Sequence, residues 1–148
     1  MNNTDLTNGM YQYGRTKALE LREAAPSLTD TEVIDQEAFI PEWKPGVQVL
    51  NAPVRRSELD QNYRVLLAHD SSANPGWTPE TKPALFGLMH TKNPAKAKPW
   101  AAPMGTSGVY KLDECYREED GIVWQQIYDG DNVYDAKALP ERWKQVEG

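Results

Sequence analysis

The side chains best suited to chemistry are carboxylates grouped in turns of the last third of the chain. They form two groups: Glu118, Glu119 and Asp120, then Asp129, Asp131 and Asp135. Paired carboxylates can hydrolyse a glycosidic bond, but such an enzyme also needs a cleft, which a module this small rarely supplies. The run from Asp129 lacks the glycine and the closing glutamate of a calcium loop at the required places. We therefore expect solvated turn charges, with no catalytic residue and no metal ligand.

His69 and Cys115 are the other candidates for catalysis or metal binding. His90 is the only other imidazole and Cys115 is the only thiol, so neither a histidine-rich nor a cysteine-built metal site is expected. Acidic neighbours raise the pKa of the Cys115 thiol and disfavour a nucleophile. His69 ends a predicted strand beside Asp70, and we expect a hydrogen-bonded structural histidine there. The sequence thus predicts no enzyme and no cofactor.

Composition narrows the function classes further. The 148 residues include five Trp, seven Tyr and eleven Pro, which predicts short strands, many turns and aromatic contact surfaces. The net charge of −6 argues against a general nucleic-acid-binding protein. No run approaches the roughly 20 apolar residues of a membrane span. The first residues have neither the basic start nor the apolar stretch of a secretory signal.

The first 38 residues differ in character from the rest. They contain no Trp, and three Lys or Arg stand against seven Asp or Glu. Residues 16–25 are rich in helix formers, and Pro26 ends that predicted helix. Thr29 and Glu32 have the spacing of a capping box, which predicts a second short helix. Two such helices look too small to fold alone, so we expect residues 1–38 to be a helical segment that anchors the chain in an assembly.

The remaining chain is predicted to form short strands. Residues 63–68 (YRVLLA) are the clearest strand, and residues 122–128 (IVWQQIY) are the next. Residues 109–116 are a predicted hairpin partner of the latter across a turn at 118–121. Between the halves, residues 92–98 contain three Lys and no bulky apolar residue, which predicts an exposed linker.

An internal repeat organises these strands. A shift of 57 residues aligns three aromatic pairs: Trp43 with Trp100, Trp77 with Tyr134, and Phe86 with Trp143. The two clearest strands also fall in comparable places after a loop shift of a few residues. Self-similarity of this kind predicts a duplication. We therefore expect two small β modules, residues 39–91 and residues 99–148.

Both modules carry motifs of a known family. In the first they are Tyr63-Arg-Val-Leu-Leu-Ala-His69, Gly76-Trp-Thr-Pro79 and Pro83-Ala-Leu-Phe86. In the second they are Gly108-Val-Tyr-Lys-Leu-Asp113, Asp129-Gly-Asp-Asn-Val-Tyr134 and Arg142-Trp-Lys-Gln-Val146. These resemble the small chitin-binding modules found at the ends of many bacterial chitinases and in prophage tail genes. The family pattern has a Tyr-led strand ending in His, a Trp-x-Pro loop and a closing aromatic.

The resemblance implies a mainly β fold, with short N-terminal helices followed by two antiparallel modules of carbohydrate-binding type. It also implies that Trp77 contacts sugar, that Tyr134 is the matching ring, and that the closing Phe86 and Trp143 are core residues. Sugar rings have apolar C–H faces, which flat exposed aromatic rings contact well. The alternative is that Trp77 packs against the neighbouring helices or another subunit.

The second module departs from the family pattern. Leu112 replaces a glycine, Tyr134 stands where Trp is usual, and residues 135–137 replace a turn that contains proline. These changes favour a packing role for Tyr134 over sugar contact. Trp43 and Trp100 are expected in the core or at a hinge. Trp124 is expected in the same role.

These features together predict a non-enzymatic bacteriophage virion protein of the tail, a fibre or the capsid. Residues 1–38 would bind other virion proteins, and the modules would bind host cell-surface polysaccharide during attachment. A homo-oligomer is expected, because weak sites displayed many times give high avidity. The expected location is the extracellular particle, with synthesis in the host cytoplasm. The alternative is a purely structural virion protein, such as a capsid decoration, fibre base or connector, which keeps the module fold without sugar binding.

Overall fold

A computed structural model describes residues 3–148, with side chains described from residue 12 onward. Two helices are followed by nine short strands in three sheets, and all but one strand pair is antiparallel, which confirms a mainly β fold. Within the described residues, no helix is long and apolar enough to cross a bilayer. The elements are α1 (Asn3–Ala24), α2 (Asp30–Asp35), β1 (Val47–Gln48), β2 (Pro53–Arg56), β3 (Gln61–Val65), β4 (His69–Asp70), β5 (Phe86–Leu88), β6 (Lys98–Pro99), β7 (Cys115–Arg117), β8 (Val123–Gln126) and β9 (Trp143–Val146).

Helix α1 begins earlier than the sequence predicts. Residues 16–24 form only its last part, because no proline precedes them and the helix extends back to Asn3. It ends close to the predicted place, where Pro26 lies in a 3₁₀ turn. We call α1, α2 and the turns between them the helical head (residues 3–38).

The predicted capping box of α2 is confirmed. The Thr29 hydroxyl accepts a hydrogen bond from the Glu32 N–H (3.2 Å), and the Glu32 carboxylate accepts one from the Thr29 N–H (3.1 Å). Behind this cap, the apolar residues of the helical head share one small core with two residues of the first module. That core consists of Leu21, Val33, Ile34, Ile40 and Met89. The helical head therefore folds against the first module.

One arginine fixes the helical head to the first sheet. The Arg64 guanidinium extends from β3 and donates hydrogen bonds to the carbonyl oxygens of Ala25 (2.7 Å) and Leu28 (3.2 Å). It also donates to the Asp30 carboxylate (2.9 Å). The two carbonyls flank the turn that joins one helix to the next, and the Ala25 carbonyl also accepts from the Leu28 N–H (3.1 Å). Arg64 binds both carbonyls and holds the turn in place.

The first module contains an antiparallel sheet of order β2-β3-β5 and a separate β1-β4 ribbon. The observed β3 starts two residues before the predicted strand, residues 63–68, and ends three residues before its end. Phe86 is fully buried and pairs with Val65, at the start of the closing strand. The buried residues of this core are Trp43, Ala52, Val54, Tyr63, Val65 and Phe86.

The second module contains a four-stranded sheet of order β6-β7-β8-β9, in which β6 runs parallel to β7. The predicted turn at 118–121 is confirmed, because the Glu118 N–H donates to the Ile122 carbonyl (2.8 Å) and the Gly121 N–H to the Glu118 carbonyl (2.9 Å). The strand before this turn covers only Cys115–Arg117 of the predicted stretch 109–116. The core is rich in rings: Tyr110, Tyr116 and Trp143 are buried, and Trp100 and Trp124 pack against them.

The two modules follow the same strand path. In each, a hairpin is followed by a long loop, a 3₁₀ turn that begins with proline, and a closing strand antiparallel to the second hairpin strand. The closing strand opens with Phe86 in one module and Trp143 in the other, and both rings are buried. Phe86 and Trp143, one of the three aligned aromatic pairs, therefore have the same structural place. In this part the repeat seen in the sequence corresponds to a shared topology.

The segment 92–98 is exposed in part, at Lys92, Ala95 and Lys96, but its end is not the exposed linker that its composition suggests. Ala97 and Lys98 are buried, and Lys98 begins strand β6. Thr91, just before the segment, is also buried and bridges Cys115 of β7. Short and charged residues become buried here because carboxylates neutralise the lysine and because small side chains fit between the sheets.

An ion-pair network joins the helical head to both modules. Asp60 has a left-handed backbone conformation (φ 51°) at the turn between β2 and β3. Its carboxylate accepts hydrogen bonds from Arg55 (2.7 Å), Lys98 (3.3 Å) and Arg117 (3.1 Å). Glu37 of the helical head pairs with Arg55 and Lys98 as well. Each charge has opposite-sign partners, as burial of charged groups requires.

Candidate functional site

Trp77 lies in the loop between β4 and β5 of the first module. Its N–H donates to the Asn74 carbonyl (3.0 Å), which fixes the loop backbone beneath the ring. The indole is half-buried. His69 lies beside it, with 6.4 Å between ring centroids, and the Lys82 ammonium stands 5.6 Å from the indole centroid. Part of the indole therefore remains available to a ligand, next to a positive charge.

His69 connects Trp77 to the core, as a structural histidine would. Its ring meets Phe86 edge-to-face at 5.4 Å between centroids. Its Nδ1 lies 2.7 Å from the Leu67 carbonyl oxygen, so Nδ1 carries the proton, because a carbonyl can only accept. The predicted hydrogen-bonded role of His69 is confirmed. Its Nε2 is buried and has no partner within the described residues.

Tyr134 occupies the equivalent loop of the second module, between β8 and β9. Its ring is 51% exposed. Its N–H donates to the Asn132 side-chain oxygen (3.1 Å), and its carbonyl accepts from the Trp143 indole (3.0 Å). The backbone under Tyr134 is thus attached to the core while the ring faces solvent. The ring does not pack within the chain, so the packing role that the sequence favours for Tyr134 would require another subunit.

Tyr128 is an exposed ring that the sequence analysis did not single out. It is 40% exposed, and the Arg142 guanidinium lies 4.0 Å from its ring centroid. The Tyr128 ring also lies so close to Gly130 that a Cβ there would come within 2.9 Å of it. The sequence signal was available, because Tyr128 directly precedes the same Asp-Gly turn that leads to Tyr134.

The carboxylates of the second module remain largely as predicted. Glu119, Asp120, Asp129 and Asp131 are exposed, whereas Glu118 and Asp135 are half-buried. Glu118 accepts a hydrogen bond from the Tyr116 hydroxyl (3.2 Å), and Asp135 accepts one from the Ala138 N–H (2.9 Å). Among the described residues, no three His, Cys, Asp or Glu side chains come together as metal ligands. The solvated turn charges expected at Glu119, Asp120, Asp129 and Asp131 are therefore what the structure contains.

Cys115 is buried in β7 and points toward the protein interior. Burial raises the pKa of its thiol to about 11, and the nearby charges of Asp113 and Glu114 act in the same direction. The acidic neighbours named by the sequence thus have the predicted effect, with burial as the larger cause. A buried thiol with a raised pKa supplies little thiolate at neutral pH.

Trp100 is another indole with open surface, besides Trp77. It is half-buried, with one side on the ring core of the second module and another bordering two surface depressions, of about 240 Å³ and about 780 Å³. The sequence predicted a core or hinge position for Trp100, and it did not predict that this ring would border open space. The offset of 57 residues pairs Trp100 with Trp43, which is buried, so the repeat gave no signal of this difference.

These places share a fixed aromatic ring with hydrogen-bonding or charged groups beside it. Such surfaces suit non-covalent contact with the apolar C–H faces and the hydroxyl groups of a sugar ring, and they equally suit contact with protein. The chain matches no protein-family model, no curated protein and no solved structure.

Proposed function

We propose that this chain is a non-enzymatic bacteriophage virion protein that binds host cell-surface glycans through its two β modules. One observation supports the glycan-binding part above others. Trp77 and Tyr134 lie in equivalent loops of the two modules, and each keeps ring surface open while its backbone is hydrogen-bonded to the fold. The virion location rests on the resemblance of the sequence to prophage tail and virion proteins.

The geometry of both loops reduces the entropic cost of binding. An aromatic ring has only two rotatable side-chain bonds, and a fixed loop backbone leaves little further freedom to lose. The Lys82 ammonium lies over the Trp77 ring and can donate hydrogen bonds to sugar hydroxyls, while His69 packs beside the indole. Each site by itself would be weak. Repetition on a particle would raise the avidity, provided that the spacing lets several sites engage together.

The test is retention of the purified full chain on chitin and on host cell walls. Wild-type protein would be compared with Trp77→Ala and Tyr134→Ala, and with Tyr13→Ala as a control. Tyr13 is 59% exposed on α1, so its loss removes a comparable ring far from both loops. Retention that falls in the two loop variants and persists in Tyr13→Ala supports the proposal. Retention that is absent in wild-type protein, even on multimeric display, contradicts it.

A purely structural virion protein is the second candidate, and a group of exposed aliphatic residues favours it. They lie where the β1-β4 ribbon meets the first sheet: Val47, Val49, Leu50, Leu66 and Leu67. Branched aliphatic side chains offer no flat face to a sugar ring, but they bury well against protein. This candidate predicts that Leu67→Asp weakens particle assembly or self-association, measured by sedimentation, while glycan retention is absent throughout.

A further inference from the structure

The smaller depression beside Trp100 is a groove between the two modules. One wall comes from β3 and the turn at 79–81 of the first module, and the other comes from residues 99–107 of the second. Its volume of about 240 Å³ lies below the about 300 Å³ at which pockets for drug-sized ligands begin. The groove therefore has room for a single ring of a larger ligand rather than for a complete drug-sized molecule.

Trp100 is held rigidly at the edge of this groove. Its indole stacks on Tyr110, with 4.8 Å between centroids and 8° between planes, and Tyr110 stacks in turn on His90 at 3.6 Å and 14°. Tyr116 and Trp143 meet the same indole edge-to-face. Among the described aromatic residues only Tyr110 lies parallel to Trp100. The Trp100 ring is thus held in place by the aromatic core on one side and borders the open groove on another.

Hydrogen-bonding groups around the groove are unused by the fold. The Gln61 side-chain N–H donates to the Pro99 carbonyl (2.8 Å), which fixes the orientation of the amide and leaves its oxygen buried and without a partner. Gln61 itself is only 4% exposed. The Tyr63 hydroxyl and the Trp100 indole N–H also have no hydrogen-bond partner among the described residues. An unpaired buried acceptor is unfavourable unless a ligand or water donates to it.

The charge at the groove is balanced. Glu80 is its one carboxylate, and the Arg56 guanidinium donates two hydrogen bonds to it (3.0 Å and 2.8 Å). A free anion would meet this carboxylate and the Gln61 oxygen, which disfavours phosphate or carboxylate ligands. The groups without partners at the groove include acceptors and donors: the Gln61 side-chain oxygen, the Tyr63 hydroxyl and the Trp100 indole N–H. Hydroxyl groups match such a set because each one donates and accepts, while proline and tryptophan surfaces cover the C–H faces of a ring.

We propose that this groove binds one uncharged pyranose unit of a glycan, with Trp100 as the stacking ring and Gln61 and Tyr63 as the hydrogen-bonding partners. The glycan would continue past Trp100 into the larger depression, which Arg117, Glu118 and Lys137 line with polar groups. The ligand class rests on the proposed function, but the site does not include Trp77 or Tyr134. It is formed only when both modules pack together.

The test follows the ¹⁵N NMR signals of the full chain during titration with chitohexaose and with cellohexaose. The reporters are the Trp100 indole N–H and the Gln61 side-chain amide. We expect both to shift, and we expect Tyr63→Phe, which removes only the hydroxyl, to weaken the affinity about fivefold. Leu67→Ala is the control, because Leu67 is exposed and lies outside the groove. It should leave the affinity unchanged.

Other results overturn the inference in distinguishable ways. Shifts confined to the Trp77 and Tyr134 loops would leave the proposed function standing and eliminate the groove as its site. No shift anywhere with either hexasaccharide up to about 10 mM would count against both. Shifts of the groove reporters with a decaproline peptide and with neither saccharide would assign the groove to proline-rich protein instead, since aromatic grooves also bind such segments.

Discussion

The two modules share a strand path and differ in what fills it. The first core combines Val54 and Val65 with the rings of Trp43, Tyr63 and Phe86, and ion pairs and the helical head lie at its borders. The second core is a cluster of contacting rings, in which Tyr116 and Trp143 meet at 4.9 Å. The same strand path can thus enclose different core side chains of suitable total volume. We therefore expect different kinds of substitution to destabilise the two modules.

Removing the closing ring of the second module should have the largest effect. Trp143 meets three rings edge-to-face and donates a hydrogen bond to the Tyr134 carbonyl. We expect Trp143→Ala to lower the free energy of unfolding by about 4 kcal/mol, and Phe86→Ala by about 3 kcal/mol, because the latter lacks that network. Urea unfolding followed by circular dichroism measures both. Equal losses would show that the ring cluster adds nothing beyond burial.

Acid should weaken the second module through His90. This ring is buried in the aromatic stack, and burial lowers its pKa to about 4 despite the hydrogen bond to the Gly108 carbonyl (2.7 Å). Between about pH 6.5 and pH 4 the unfolded chain therefore binds a proton that the folded chain does not. The contribution of His90 to stability should be full above pH 6.5 and fall by up to roughly 3 kcal/mol toward pH 4.

Two variants separate His90 from its surroundings in urea unfolding across this range. His90→Gln cannot titrate at this position, so its stability should fall less than that of wild-type protein, or rise, as pH drops from about 6.5 to 4. Glu114 acts in the opposite direction, because burial raises its pKa to about 7 and its stabilising effect is lost as pH rises from about 4.5 to 7. Glu114→Gln should therefore steepen the loss in acid. An unchanged slope in His90→Gln would contradict the assignment.

The sequence carried the local patterns better than the contacts between distant segments. Thr29 and Glu32 are three residues apart, so their capping box could be recognised directly. The burial of Lys98 could not, because it depends on Asp60 and Glu37, which are distant in sequence. The groove beside Trp100 could not be predicted either. Its opposite wall is formed by residues of the first module, which are distant from Trp100 in sequence.

Breaking the ion-pair network should affect both modules moderately. Hydrogen bonds from Arg55 and Arg117 and the charge of Lys98 outweigh the partial burial of Asp60 and hold its pKa below the usual range. Asp60→Asn keeps the shape and leaves three cations with one carboxylate fewer. We expect a loss of about 1–2 kcal/mol, since the site is partly solvated. Both modules should still unfold together in urea; separate transitions would show that the network is what couples them.

The smallest effect should be confined to the helical head. Thr29→Ala removes one side of the capping box, which typically costs about 1 kcal/mol. The helical head shares its core with Met89 and is tied to β3 by Arg64, so the first module should lose some protection of its amides from hydrogen exchange. The core of the helical head contains no residue of the second module, which should therefore keep its protection. Thr106→Ala, an exposed threonine in a loop of the second module, is the matched control. Equal deprotection of both modules would mean that they open as a single unit, and that the difference between their cores does not extend to their dynamics.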